Sequence, residues 1–182
     1  RFEVGIKDFN SSIHILEAFS ELYLVWPDPL LRDRLQEMFY IIKDTFVGEK
    51  GYLSLYFTPD WQEITEDIIH EYSIGNIHDV HLTFGHDIET VFLLTEAAEA
   101  LGIPFNQPFL NFLEKMTDQV IERAWDYQAG GIFERGKWAD DTLLITDSTK
   151  VWWSQAEAMN TFLLMSTLIP DKESYYFEYF SK

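Results

Sequence analysis

Cysteine is absent from the 182 residues. No disulfide framework can form, and the chain fits a reducing compartment such as the cytoplasm. Positive charge is scarce: 13 Lys and Arg stand against 31 Asp and Glu, a formal net charge of −18. Such a field repels nucleic acid and anionic membrane while leaving a neutral substrate such as a sugar unopposed; it also serves plain solubility. No apolar run approaches the ~20 residues of a membrane span, and no signal-peptide pattern opens the chain. P-loop, dinucleotide, nucleophile-elbow and zinc-protease signatures are all missing.

Apolar residues make up 47% of the chain and aromatics 16%, enough for one sizeable and unusually aromatic core. Helical spacing runs from Asn10 to Trp26 through Ile13, Leu16, Phe19, Leu22 and Tyr23. Asn10, Ser11 and Ser12 offer capping oxygens at its start. Pro27-Asp28-Pro29 ends this helix and opens another, over 30–46. Further helices are expected over 87–101, 108–127 and 150–169, with a last one after Asp171. Between them, 52–57 reads as a short strand and 58–85 as a polar loop with a short helix near Glu63–His70. Residues 130–136 read as a strand or turn and 137–147 as a polar loop. The pattern is helix, helix, short strand and loop, repeating at ~70 residues. Such hairpins either stack as a solenoid or close into a ring, and the long polar loops gathered at one end favour the ring. The whole of 1–182 reads as a segment of one domain. It begins at Arg1 and stops inside an aromatic helical stretch, as a portion of a longer chain does.

Three helical segments carry a glutamate near their start. They read His14-Ile-Leu-Glu17-Ala18, His86-Asp87-Ile-Glu89-Thr90 and Ser154-Gln155-Ala156-Glu157-Ala158, with intervals of 72 and 68 residues between the glutamates. Twice a histidine stands one turn earlier, on the same face. A carboxylate beside an imidazole raises its basicity and fixes its orientation, which suits acid–base chemistry near neutral pH. The alternative is a purely structural pair. Gly85 permits close approach at the start of the third helix, and Asp87 reads as a helix-start charge. Trp152 and Trp153 diverge by ~100° on a helix, so one of them is free to face a cavity. His78, Asp79, His81 and His86 do not read as a metal site, since no cysteine assists and the His–Glu order is reversed from di-iron bundles.

These blocks, Asn10 to Phe19, Phe84-Gly-His-Asp-Ile-Glu89 and Val151-Trp-Trp-Ser-Gln-Ala-Glu-Ala158, resemble the N-acylglucosamine 2-epimerase superfamily, most closely its cellobiose/mannobiose 2-epimerase branch. The resemblance covers nearly the whole chain. It implies an all-α fold, a partial (α/α)6 toroid of about three of six helical hairpins with short strands in the inter-hairpin loops. It implies cofactor-independent epimerisation at C2 of the reducing-end sugar of a β-1,4-linked disaccharide, through a cis-enediolate, by a monomer or homodimer with no metal. His86 resembles an acid–base histidine, Glu89 the carboxylate that orients it, and His14 and Asn10 polar residues near O1 and the ring oxygen. Trp153 resembles the platform under a sugar ring, Trp152 its neighbour, and Glu157 a carboxylate in contact with the sugar. The partner acid–base histidine is expected beyond Lys182. Thr90 and Ser154 depart from the family's small apolar residues.

Three rival readings remain. An aldose–ketose isomerase shares the enediolate but returns the proton to C1. An (α/α)6 glycoside hydrolase needs two carboxylates across the scissile bond, for which Glu17, Glu89 and Glu157 are the candidates. A carbohydrate- or protein-binding toroid needs no catalysis at all.

Overall fold

A computed structural model describes residues 5–65, 68–69, 82–139 and 142–182. His70, His78, Asp79 and His81 lie outside the described residues, as do residues 66 and 67 of the short helix expected near Glu63–His70.

The chain first forms β1 (Lys7–Asp8) and then α1 (Phe9–Val25). The cap is Asp8, whose carboxylate accepts the Ser11 N–H at 3.0 Å, rather than the expected Asn10–Ser12. Asp28 caps α2 (Pro29–Tyr40), with Pro29 in its first turn. From Ile41 to Val47 the helix widens into π-helical turns that end at Gly48, in the left-handed φ region. β2 (Tyr56–Phe57) is shorter than the 52–57 strand expected. Then follow β3 (Leu82–Thr83), α3 (Phe84–Leu101), closed by left-handed Gly102, and α4 (Gln107–Ala124), capped by Asn106.

Residues 135–139 and 142–147, expected mainly as a polar loop, form two antiparallel paired strands, β4 (Arg135–Ala139) and β5 (Thr142–Asp147). The β-branched and apolar run Thr142-Leu-Leu-Ile-Thr146 carries the strand propensity. Most of β5 is exposed, so no alternation of buried and polar positions announces it. The chain continues with α5 (Trp152–Leu168), a 3₁₀ turn at Pro170–Lys172 and α6 (Glu173–Phe180).

The unit that repeats is strand–helix–helix–strand. β1, before α1, pairs with β2, after α2, and β3, before α3, pairs with β4, after α4, both antiparallel. Helix α3 packs between α1 and α5, while α2, α4 and α6 each return against their own partner. Flanked on both sides, α3 buries Ile88, Val91, Leu94, Ala97, Ala98 and Leu101 in the centre of a single core. The arrangement is an arc of an (α/α)6 toroid. The first turns of α1, α3 and α5 stand side by side at one end, together with the strands. Among the described residues no helix is long and apolar enough to cross a membrane.

Candidate active site

At that end the rings of three helices meet. The imidazole of His86, in the first turn of α3, lies 5.6 Å edge-on from Phe9 of α1 and 5.1 Å from Trp153 of α5. Phe9 is itself backed by Phe46 at 5.6 Å. Packing between rings therefore restricts the imidazole from both sides. Gly85 permits this. A Cβ there would strike Ser154 Oγ and lie 2.6 Å from the Trp153 ring, so only glycine lets α3 approach α5 this closely.

The Val151–Ala158 block divides its tasks among successive residues. Trp153 faces His86. Ser154, fully buried, donates its hydroxyl to Glu134 Oε2 at 3.0 Å. Gln155 accepts the Ile132 N–H and donates to the Ile132 carbonyl, both at 2.9 Å, which ties the Gly130–Glu134 turn to α5. Glu157 is half-buried on the side of Glu89 and Glu17, whose charges act on it or respond to it. Trp152 is 80% exposed and turned away from this cluster. Asn10 is exposed in the first turn of α1.

The positional equivalence of the three glutamates is corrected by the helix starts. His14, Glu89 and Glu157 each stand six positions after their helix's N-cap residue, Asp8, Thr83 and Val151. These three, and not Glu17, Glu89 and Glu157, occupy one level of the arc. Glu17 lies one turn deeper, so the two His-x-x-Glu pairs are offset along the helix axes. Glutamate spacing hid this because α1 and α3 start 75 residues apart, and α3 and α5 only 68.

Electrostatics join the level. Burial lowers the pKa of His86 to about 4, helped by the charges of His14 and Arg135 and opposed by Asp8. Burial raises that of Glu89 to about 7, and the charges of Glu157 and Glu17 push it the same way against His14. Glu157 is also raised, by burial and then by Glu17. Near neutral pH the imidazole is thus unprotonated and the Glu89 carboxyl is divided between its two forms. His86 Nδ1 and Glu89 Oε2 are buried without a hydrogen-bond partner among the described residues. The His86–Glu89 bond implied by their spacing is therefore not made at these atoms. In the other pair it is made: His14 Nδ1 lies 2.9 Å from Glu17 Oε2, with both side chains about half exposed.

Asp87 is more than a helix-start charge. It is 3% exposed, burial lifts its pKa to about 7, and it accepts the Leu53 N–H at 2.9 Å. It fastens the 52–55 segment to α3. Phe9, Asp8, Glu134 and Arg135 escaped the sequence reading. Phe9 was open to inference as the counterpart of Phe84, each the first residue after its short strand. Among the described residues no group of three or more His, Asp or Glu is placed to hold a metal.

A family model described as N-acylglucosamine 2-epimerase (GlcNAc 2-epimerase) matches residues 5–180. Cellobiose 2-epimerase of Bacteroides fragilis is 28% identical over 157 residues, 84% of this chain and 35% of that protein. That of Dictyoglomus turgidum is 24% identical over 166 residues, 88% and 37% of the two chains. Among solved structures, the cellobiose 2-epimerase from Spirochaeta thermophila is similar at a TM-score of 0.75 and 29% identity, over 96% of this chain and 38% of that one. A D-mannose isomerase shares the fold at a TM-score of 0.76 and 23% identity, over 96% and 43%. The chain spans little more than a third of the length of the curated relatives it matches.

Proposed function

The chain belongs to the N-acylglucosamine 2-epimerase family, and from that premise we propose that it carries one face of a sugar 2-epimerase site, in which His86 exchanges the proton at C2 of a reducing-end aldose. The observation that carries the reading is the His86 ring, set between Phe9 and Trp153 with Nδ1 unpaired among the described residues, one turn from Glu89, whose Oε2 is buried and also unpaired there.

In the proposed reaction the sugar opens to its aldehyde form, which acidifies the C2 hydrogen. His86 takes that proton, and the C–H electron pair becomes the C1–C2 double bond of an enediolate, with charge on O1. Reprotonation of C2 from the opposite face, by a second group, inverts the centre and restores the aldehyde. A buried imidazolium is unfavourable alone, so ionisation of Glu89 one turn away supplies the counter-charge that makes His86 a competent base. His14, at the level of Glu89, is assigned to the O1 region, with Asn10 beside it. Trp153 offers an apolar face to the sugar C–H groups, and Glu157 hydroxyl contacts. Trp152, exposed and turned away, is assigned to the outer rim. The substrate proposed is a β-1,4-linked disaccharide, as the names of the similar cellobiose 2-epimerases indicate.

Product analysis tests the reading. Incubation of cellobiose with the intact protein should yield its C2 epimer. Formation of a 2-ketose instead would mean that the proton returns to C1, and release of monosaccharide would mean glycoside hydrolysis.

A further inference from the structure

Three buried side-chain polar atoms lack a hydrogen-bond partner among the described residues. Two, on His86 and Glu89, belong to the candidate active site. The third is the indole Nε1 of Trp138 on β4, and nothing in the proposed reaction uses it. Native proteins satisfy nearly all such groups, so an exception calls for an explanation.

Trp138 borders a cavity of about 220 Å³ formed with Lys50, Tyr52, Ser54 and Glu63. Its ring lies 5.4 Å from that of Tyr52 at an interplanar angle of 38°, and the Arg123 guanidinium packs 4.8 Å from its centroid. The two aromatic side chains thus pack together as one wall of the cavity. The polar side of the cavity is equally organised. Lys50 Nζ donates to Glu63 Oε1 at 2.7 Å and to Ser54 Oγ at 3.2 Å, and the Ser54 hydroxyl donates to Glu63 Oε1 at 2.7 Å. Lys50 Nζ also donates to Glu63 Oε2 at 2.5 Å, so these groups hold each other in place, largely cancel in charge and use their donors within the group, while the Glu63 carboxylate and the Ser54 oxygen keep acceptor positions to spare.

We propose that this cavity is an accessory site for a single neutral pyranose ring, separate from the His86 site. A sugar ring presents an apolar C–H face and a rim of hydroxyls that both donate and accept. The aromatic wall matches the first, and the spare acceptor positions of Glu63 and Ser54 receive hydroxyl donors from the second. The Trp138 N–H, just beneath the wall, gains its missing acceptor in a ligand hydroxyl after a small swing of the ring. The volume is below the ~300–1,000 Å³ of pockets for larger ligands, so one ring fits and a disaccharide does not. The site does not depend on catalysis at His86. It shares that end of the arc because Leu53, between Tyr52 and Ser54, is bonded to Asp87.

Methyl β-D-glucopyranoside is the appropriate probe, since its locked ring cannot open to an aldehyde. Titrated into the protein, it should shift the indole N–H resonance of Trp138 saturably, that signal being identified by its loss in Trp138→Phe. Glu63→Gln and Tyr52→Leu, each checked for a dispersed native spectrum, should each weaken binding about ten-fold, and His86→Gln should leave it unchanged. An unmoved Trp138 signal would overturn the proposal. So would an equal response to inorganic phosphate, which would make this an anion site, or loss of the response in His86→Gln.

Discussion

His86 and Glu89 are displaced from their ordinary protonation ranges in opposite directions by one cause, burial. For the imidazole, desolvation disfavours the cation. For the carboxyl it disfavours the anion, and the neighbouring charges of Glu157 and Glu17 add to it. Since the base works best with Glu89 ionised, kcat/KM for epimerisation should rise with pH through about 7. That apparent value belongs to the coupled Glu89–Glu157 cluster as a whole. Glu89→Gln should lower kcat by about 10²-fold or more and remove this limb from the pH profile. A profile that Glu89→Gln leaves unaltered in shape would exclude the coupling. Of these residues, the His-x-x-Glu pair on α3 was legible because helical spacing places both on one face. The aromatic setting of the imidazole was not, because Phe9 and Trp153 lie 144 residues apart in sequence and meet only when the arc forms.

The contact between α3 and α5 rests on the space left by Gly85. Gly85→Ala has a favourable helix propensity of about 1 kcal/mol, but its methyl meets Ser154 and Trp153. Overpacking should win, with a net loss of about 1–3 kcal/mol in stability, read as a lower midpoint in chemical denaturation. Gln155→Ala removes both bonds to the Ile132 backbone and strands its N–H and carbonyl. A loss of about 2–3 kcal/mol is expected, whereas Trp152→Ala, at an exposed position, should stay within about 0.5 kcal/mol. Helices were largely readable from period and punctuation, as at Pro27-Asp28-Pro29 and Gly102. Register between helices was not, since the lengths of the intervening connections differ and neither periodicity nor caps report them. The β4–β5 pairing was not readable because β5 is mostly exposed and carries no buried alternation.

Across the molecule the same buried groups make stability depend on pH. Folded Asp87 and Glu89 keep their protons up to about pH 7, unfolded only to about 4. Each therefore stabilises the fold fully at low pH and loses that contribution as pH climbs from about 4 to about 7. His86 acts oppositely: unfolded it takes a proton near pH 6.5, folded only near 4, so it destabilises the fold as pH falls through that window. Two carboxyls outweigh one imidazole, and Tm should fall between pH 5 and 7.5. Asp87→Asn retains an acceptor for Leu53 and should flatten this decline, its share being on the order of 3 kcal/mol. The most direct measurement of the central claim is solvent exchange at C2. With cellobiose in D2O, the intact protein should place deuterium at C2 of both epimers, and His86→Gln should slow incorporation by at least about 10²-fold. Epimer formed without deuterium at C2, or label entering at an undiminished rate in His86→Gln, would contradict the role assigned to His86.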